Sequence, residues 1–285
     1  SPEVLYPMLA DQDVRAHIDV ERRRQSSLLQ RYLVQQRILD NPDCALVDIG
    51  WRGSIPAALT QAFPEAWRAV PLRAYYLGYW RETNEIPMPQ IRITGILSDS
   101  RRARNLVEAS PRYLTFLLES VCRADHGTVV GYREASQGAI EPLTDAPSPR
   151  YDAEQNAEPW QLPIRKGILD YVSAHAAYDK RIARDERRLR RHQQRRMLRL
   201  AFFPSHGEIS ATSGLVHSEG HMNNWSRLLI DSRLPNPILA PRRWLQGLAS
   251  PWRSAYVFAS GGPFLAFAFL VLEALLVALP GSVQR

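Results

Sequence analysis

The stretch CALVDIGWRGSIPAALTQAF, residues 44–63, constrains the fold more than any other part of the chain. Residues 44–48 form a short apolar run typical of a buried strand, and a Gly-x-x-Gly turn separates it from helical spacing at 55–63. A second apolar run at 72–79 predicts another strand. A strand, a helix and a strand in this order predict a β-α-β unit with parallel strands.

The remaining patterns predict an α/β fold that is Rossmann-like, with a mainly parallel sheet and flanking helices, followed by a mostly helical C-terminal part. Residues 12–40 contain no Gly or Pro and repeat apolar residues at helical spacing. Residues 91–97 and 127–132 read as strands, and 105–122 as helical. The predicted division is a Rossmann-like domain with N-terminal helices, an exposed connection rich in Pro, Ser and acids, and a helical region, over residues 1–135, 136–163 and 164–285.

Positive charge is concentrated in one segment. The net charge is +7, and residues 179–199 hold ten Arg or Lys against three acids, so this segment accounts for the whole excess. No breaker separates it from the amphipathic run that begins at residue 164, which predicts one helix of over about thirty residues ending at Phe202-Phe203-Pro204. The arginines can form a solvated helix face or contact anionic lipid. Nucleic acid is disfavoured as a partner because few aromatic residues interleave with them.

Two features bear on location. Cys44 and Cys122 lie in apolar runs, which predicts two buried, reduced thiols and a cytoplasmic setting, and no secretion signal is visible. The apolar run at 263–279 contains Glu273 and is at the lower limit for a bilayer span. It is either a membrane contact, such as a peripheral one at the inner membrane, or a helix buried against the domain or a partner.

The turn at residues 50–54 predicts a phosphate-binding site. In a β-α-β unit, the end of the strand and the start of the helix meet at one crevice, where unpaired N–H groups and the helix dipole attract anions. Gly50 and Gly53 let the backbone approach a ligand, and Arg52 can pair with a phosphate. Trp51 can cover a sugar or a base, and Ser54 suits the helix N-cap. The alternative is a tight corner with a solvated Arg52.

Asp48, Glu108 and His126 are the candidate catalytic residues. Asp48 ends the first strand, where a sugar hydroxyl or a catalytic carboxylate often lies. Glu108 and Glu119 lie on helical segments, and His126 precedes a strand, so a carboxylate and an imidazole could share acid-base work. The alternative is that Glu108 caps a helix or pairs with Arg104, and that His126 only begins the strand.

Several classes of protein are disfavoured. The chain lacks the D-x-G-x-G-x-G pattern of methyltransferases, the Walker loop G-x-x-x-x-G-K-S/T and the zinc motif H-E-x-x-H. Neither Cys pairs nor carboxylate clusters with metal spacing occur. No metal and no cofactor are therefore predicted.

Five segments together suggest a family: ALVDIGWRGSI at 45–55, YYLGY at 75–79, LLESVCRADHGTVVGY at 117–132 with Glu108 before it, PSHGEISATSGLVHSEG at 204–220 and WLQGLA at 244–249. With these, most of the chain resembles the region that follows a haloacid dehalogenase (HAD) type domain in large bacterial proteins of surface polysaccharide biosynthesis, often fused to glycosyltransferases. Two departures matter. Pro56 stands where the family pattern has Gln, and the HAD nucleophile motif D-x-D-x-T/V is absent, so HAD-type hydrolysis is expected upstream of these residues.

The resemblance and the turn together predict a sugar-phosphate or nucleotide-sugar binding domain in lipopolysaccharide or capsule synthesis. A catalytic version would carry out glycosyl or phosphosugar transfer, with Arg52 neutralising the leaving phosphate. The competing hypothesis is a non-catalytic scaffold that accompanies an adjacent HAD or glycosyltransferase domain.

Overall fold

The computed structural model describes residues 2–41, 43–80, 90–145, 149–182, 185–219, 225–230 and 234–278. The helices are α1 (Pro2–Ala10), α2 (Gln12–Gln35), α3 (Ser54–Ala62), α4 (Leu106–Ala109), α5 (Thr115–Cys122), α6 (Pro149–Asn156), α7 (Glu158–Ile182), α8 (Glu186–Phe202), α9 (His206–Thr212), α10 (Pro241–Gly247) and α11 (Arg253–Ala278). The strands are β1 (Ala45–Trp51), β2 (Leu72–Tyr79), β3 (Ile91–Asp99), β4 (Val129–Glu134), β5 (Ile140–Thr144), β6 (Val216–Glu219) and β7 (Trp225–Leu228). Short 3-10 helices cover Pro64–Trp67, Ser110–Leu114 and Ser136–Gly138.

A parallel sheet in the order β1-β2-β3 forms the centre of the first half. Helix α3 connects β1 to β2, which confirms the β-α-β unit and the α/β fold class with flanking helices and a helical C-terminal part. Leu33 of α2 packs with Phe63, Trp67 and Leu72 in a buried cluster. The apolar stripe of α2 and one face of the sheet therefore remove each other from water.

The opposite face of the sheet is open. Val47, Tyr75 and Thr94 lie side by side on β1, β2 and β3. All three are exposed, and Val47 reaches 80%. Parallel sheets are normally covered by helices on both faces, but this row of side chains has no such cover within the described residues.

The basic segment does not continue one long helix, so the prediction of a single helix from residue 164 is wrong. Helix α7 ends at Ile182 and α8 begins at Glu186. Asp185 is the N-cap of α8, and its carboxylate accepts a hydrogen bond from the N–H of Arg188 at 3.0 Å. An N-cap Asp favours a new helix start. Helix α8 ends at Phe202, as the Phe-Phe-Pro sequence predicts.

The predicted connection over 136–163 contains regular structure. Strand β5 pairs antiparallel with β4, and Ile140 within it is buried. Helix α6 and the start of α7 follow. The division into three parts stays a prediction.

Both cysteines are free thiols, but the prediction that they are buried is wrong. Cys44 is half-buried and Cys122 is exposed. Cys122 is the last residue of α5 and lies off the buried side of that helix, which is formed by Leu117, Ser120 and Val121.

A second hydrophobic core holds the helices of the second half together. Leu106, Leu114, Phe202 and Trp252 belong to one buried cluster, to which α4, α8 and α11 contribute. By length and composition alone, Arg253–Val277 could cross a membrane, and 11% of its most apolar window is buried. Helix α11 is therefore buried against the domain, as one of the two alternatives predicts, but only on one of its sides.

Candidate functional site

The predicted turn begins later than the sequence suggests, because β1 continues through Gly50 to Trp51. Gly50 has a φ of 129°, and a Cβ built on it would lie 2.0 Å from the carbonyl oxygen of Gly78. Its N–H is 3.3 Å from Oδ1 of Asp48. Gly50 is thus required for the close approach of β1 and β2.

Trp51 is held by protein contacts. Its Nε1 donates to Oε1 of Glu119 at 2.9 Å, and its ring packs against Trp80 with centroids 5.1 Å apart. Oε2 of Glu119 lies 3.6 Å from Nδ1 of the buried His217. The indole predicted to cover a sugar instead ties the end of β1 to α5 and β6.

The start of α3 also differs from the prediction. Gly53 is the N-cap, with a φ of 81°, and Ser54 is the first helical residue. A Cβ on Gly53 would lie 2.7 Å from Cδ1 of Ile93. The prediction that Ser54 caps the helix is wrong, because the cap position has a left-handed backbone that Gly adopts most readily. Arg52 lies beside it and is exposed.

Each of the three predicted catalytic residues hydrogen bonds to a backbone group within four residues of it in the sequence. Asp48 accepts from Gly50, and Nδ1 of the exposed His126 lies 2.8 Å from the carbonyl oxygen of Gly127. Glu108 accepts from the N–H of Arg104 at 2.7 Å. No hydrogen bond or ion pair joins any two of these three side chains. The helix-capping alternative for Glu108 is the one observed.

A bulge in β3 creates a site that no pattern in the sequence indicates. Tyr76 pairs with Gly95, but Gly78 pairs with Ser98, so β3 holds an extra residue here. A Cβ on Gly95 would lie 2.1 Å from the carbonyl oxygen of Ser98. The bulge brings the carboxylate of Asp99 back to the N–H of Gly95.

Asp99 is buried yet kept ionised. Burial would raise the pKa of Asp99, but hydrogen bonds from the guanidinium of Arg101 and from backbone N–H groups hold it below its ordinary value. Nε of Arg101 donates to Oδ1 at 2.8 Å. Arg101 also lies over the ring of Tyr79, 4.9 Å from its centroid. Arg101 therefore has a structural role, because it holds the end of β3 against β2.

An open groove of about 580 Å³ lies between the end of β3, the loop after it and α8. We call it the arginine groove. Its charged lining is Arg102, Arg104, Arg187, Arg190, Arg191, Asp99 and Glu108. Five positive and two negative side chains leave a surplus of three positive charges. The volume is in the range of small-molecule sites.

The five arginines of the groove are not neutralised by the fold. Within the described residues, none of their guanidinium groups hydrogen bonds to or pairs with an acid. Asp99 bonds to Arg101, and Glu108 bonds to a backbone N–H, so both acids are already satisfied. Guanidinium groups recognise phosphate through paired hydrogen bonds. The groove can therefore hold an anion with several negative oxygens.

Gln194 fixes α8 against the sheet. It is 4% exposed, and its side-chain Nε2 donates to the backbone carbonyl of Leu97. The backbone carbonyl of Gln194 accepts a hydrogen bond from the hydroxyl of Ser110 at 2.9 Å. These contacts set the distance between Arg190 on α8 and the end of β3. The basic helix is readable from the sequence, but no local pattern indicates which part of the sheet it packs against.

No protein-family model matches the chain, and no curated protein sequence matches it significantly.

Proposed function

We propose that the chain binds a sugar phosphate or nucleotide sugar in bacterial surface polysaccharide synthesis, and that the arginine groove holds the phosphate groups. The observation that carries this proposal is the set of five guanidinium groups beside the carboxyl end of β3 that have no acidic partner in the described part of the chain. Ligands of parallel α/β sheets bind outside the carboxyl ends of the strands. The polysaccharide setting rests on the family resemblance alone.

The geometry supports binding more strongly than group transfer. Glu108 is the one predicted catalytic residue that lines the groove, and its carboxylate is engaged by the N–H of Arg104. Asp48 and His126 do not line the groove. A ligand there would meet mainly arginines, which orient and neutralise phosphate, while the carboxylates of Asp99 and Glu108 in the lining are engaged by Arg101 and by the N–H of Arg104.

Isothermal titration calorimetry with a panel of nucleotide sugars tests this function. We expect Arg190→Ala and Arg191→Ala each to weaken binding about tenfold, because each removes a charge-assisted hydrogen bond. Arg196→Ala is the matched control, since it lies on the same helix, is exposed and does not line the groove. An equal loss from Arg196→Ala, or a loss from Arg52→Ala alone, would contradict the proposed site.

The scaffold hypothesis is kept as a second candidate because the sheet has an open face. Val47 is an 80% exposed valine on a parallel strand, with Tyr75 beside it. Such a row fits a neighbouring HAD or glycosyltransferase domain that would cover it. Absence of heat across the whole nucleotide-sugar panel would favour the scaffold.

A further inference from the structure

Helix α11 is apolar on the side that faces away from the protein. The exposed residues of its second half recur at helical spacing, and all of them are apolar: Pro263, Phe264, Phe267, Ala268, Val271, Leu272, Leu275 and Leu276. Phe264 is 83% exposed and Leu275 is 62% exposed. A helix on the surface of a soluble domain normally turns polar residues outward. We call this stripe the α11 face.

The inner side of the same helix is committed to the protein. Glu273 accepts a hydrogen bond from the hydroxyl of Tyr113 at 2.8 Å. Phe269 packs on Phe202 with centroids 6.0 Å apart, and Ala266 is fully buried. Because one side is occupied, a partner can cover only the α11 face.

The geometry of α11 fits an interfacial helix better than a span. Gly262 has a φ of 74° and breaks the helix just before Pro263. The part after the break rises roughly 24 Å at about 1.5 Å per residue, less than the roughly 30 Å hydrocarbon core of a bilayer. A helix that keeps one side on its own domain lies in the membrane plane.

Two of the helices that contact α11 carry exposed arginines. Helix α8, whose Phe202 contacts α11, carries the exposed Arg195 and Arg196. Helix α10 is held to α11 by a hydrogen bond from Trp244 Nε1 to Ser260 Oγ at 2.8 Å. Arg242 and Arg243 on α10 are exposed.

An apolar stripe on a helix whose neighbouring helices carry exposed arginines matches one kind of partner. We infer that the α11 face docks on the surface of an anionic lipid bilayer, with its aromatic and aliphatic side chains in the acyl boundary and the nearby arginines among the headgroups. A second protein surface would cover the stripe but would not require exposed cations on the neighbouring helices. The inference is independent of the proposed function of the arginine groove.

Vesicle cosedimentation of the full chain tests this inference. We expect at least about tenfold stronger binding to vesicles of phosphatidylcholine with phosphatidylglycerol than to phosphatidylcholine alone, because each arginine adds to the attraction. Combined Phe264→Ser and Phe267→Ser should reduce binding about tenfold or more. Combined Arg242→Glu and Arg243→Glu should remove most of the preference for anionic vesicles.

Combined Leu169→Ser and Val172→Ser on α7 is the matched control, with the same spacing and exposures of 65% and 55%. All variants change exposed residues, so their thermal unfolding midpoints should stay near that of the wild type. Equal loss from the α7 pair, or no binding to either vesicle, would overturn the inference. A dimer in solution that Phe264→Ser and Phe267→Ser convert to a monomer would also overturn it.

Discussion

Gly50 shows how a single residue sets the geometry of the sheet. Its φ of 129° is unfavourable for side chains, and the atom that a Cβ would meet belongs to the backbone of Gly78. A backbone carbonyl within a paired strand cannot turn away as a flexible side chain would. A side chain at position 50 would therefore cause both backbone strain and a steric clash with Gly78.

We predict that Gly50→Ala lowers the free energy of unfolding by about 3 kcal/mol or more, from backbone strain and overpacking together. Urea denaturation measures the change. Gly138→Ala is the control, because Gly138 has a φ of 78° but its nearest neighbour would be the carboxylate of Glu134 at 3.8 Å. It should cost only about 1 kcal/mol from strain, and equal losses at both positions would refute the steric explanation.

At the scale of elements, α8 organises the helical half. Asp185 begins it, Gln194 fixes it to the sheet, and Phe202 joins it to α11. At its end, Arg199 pairs with Glu208, which also completes the capping box of α9 with Ser205. One carboxylate therefore links two helices.

Glu208 makes this link sensitive to acid. The hydrogen-bonded pair with Arg199 lowers the pKa of Glu208 from 4.5 to about 2. Because the folded pKa lies below the unfolded one, the stabilisation is complete above about pH 4.5 and is lost as the pH falls toward about 2. The side chain is 33% exposed, so solvent screening reduces the contribution to about 1 kcal/mol.

We therefore predict that Glu208→Gln destabilises the chain by about 1 kcal/mol at pH 7 and by about half of that or less at pH 3. Urea denaturation at the two pH values measures both differences. Glu141→Gln is a control that removes a more exposed pair with Arg133 and should change stability little. A Glu208→Gln effect of the same size at both pH values would mean that capping geometry, and not charge, carries the link.

Across the whole molecule, sequence reasoning succeeded where contacts are local. The β-α-β unit, the bounds of β2 and the end of α8 follow from patterns within a few residues. The Ser-x-x-Glu signature at Ser205 is a further readable signal for a helix start. Prediction from sequence failed where segments that are distant in the chain meet. Gln194 and Leu97 are 97 residues apart, and the bulge that turns Asp99 inward depends on pairing between strands.

The candidate site follows the same rule. The sequence places arginines on a helix and predicts a crevice at the end of a sheet, but only the packing of α8 on β3 shows that the two meet. The sequence predicts that Trp51 faces a ligand, but its indole instead hydrogen bonds to Glu119. This partner lies 68 residues away, so no local pattern indicates the contact. Local spacing carries no information about such pairs.

The proposed function depends on the binding of phosphate groups in the arginine groove. The most direct test is a crystal structure of the chain grown with UDP-glucose. We expect the diphosphate between Arg102 and Arg104 on one wall and Arg187, Arg190 and Arg191 on the other. Diphosphate density over the amides of residues 50–54, with the arginine groove holding solvent only, would show that the proposed site is wrong.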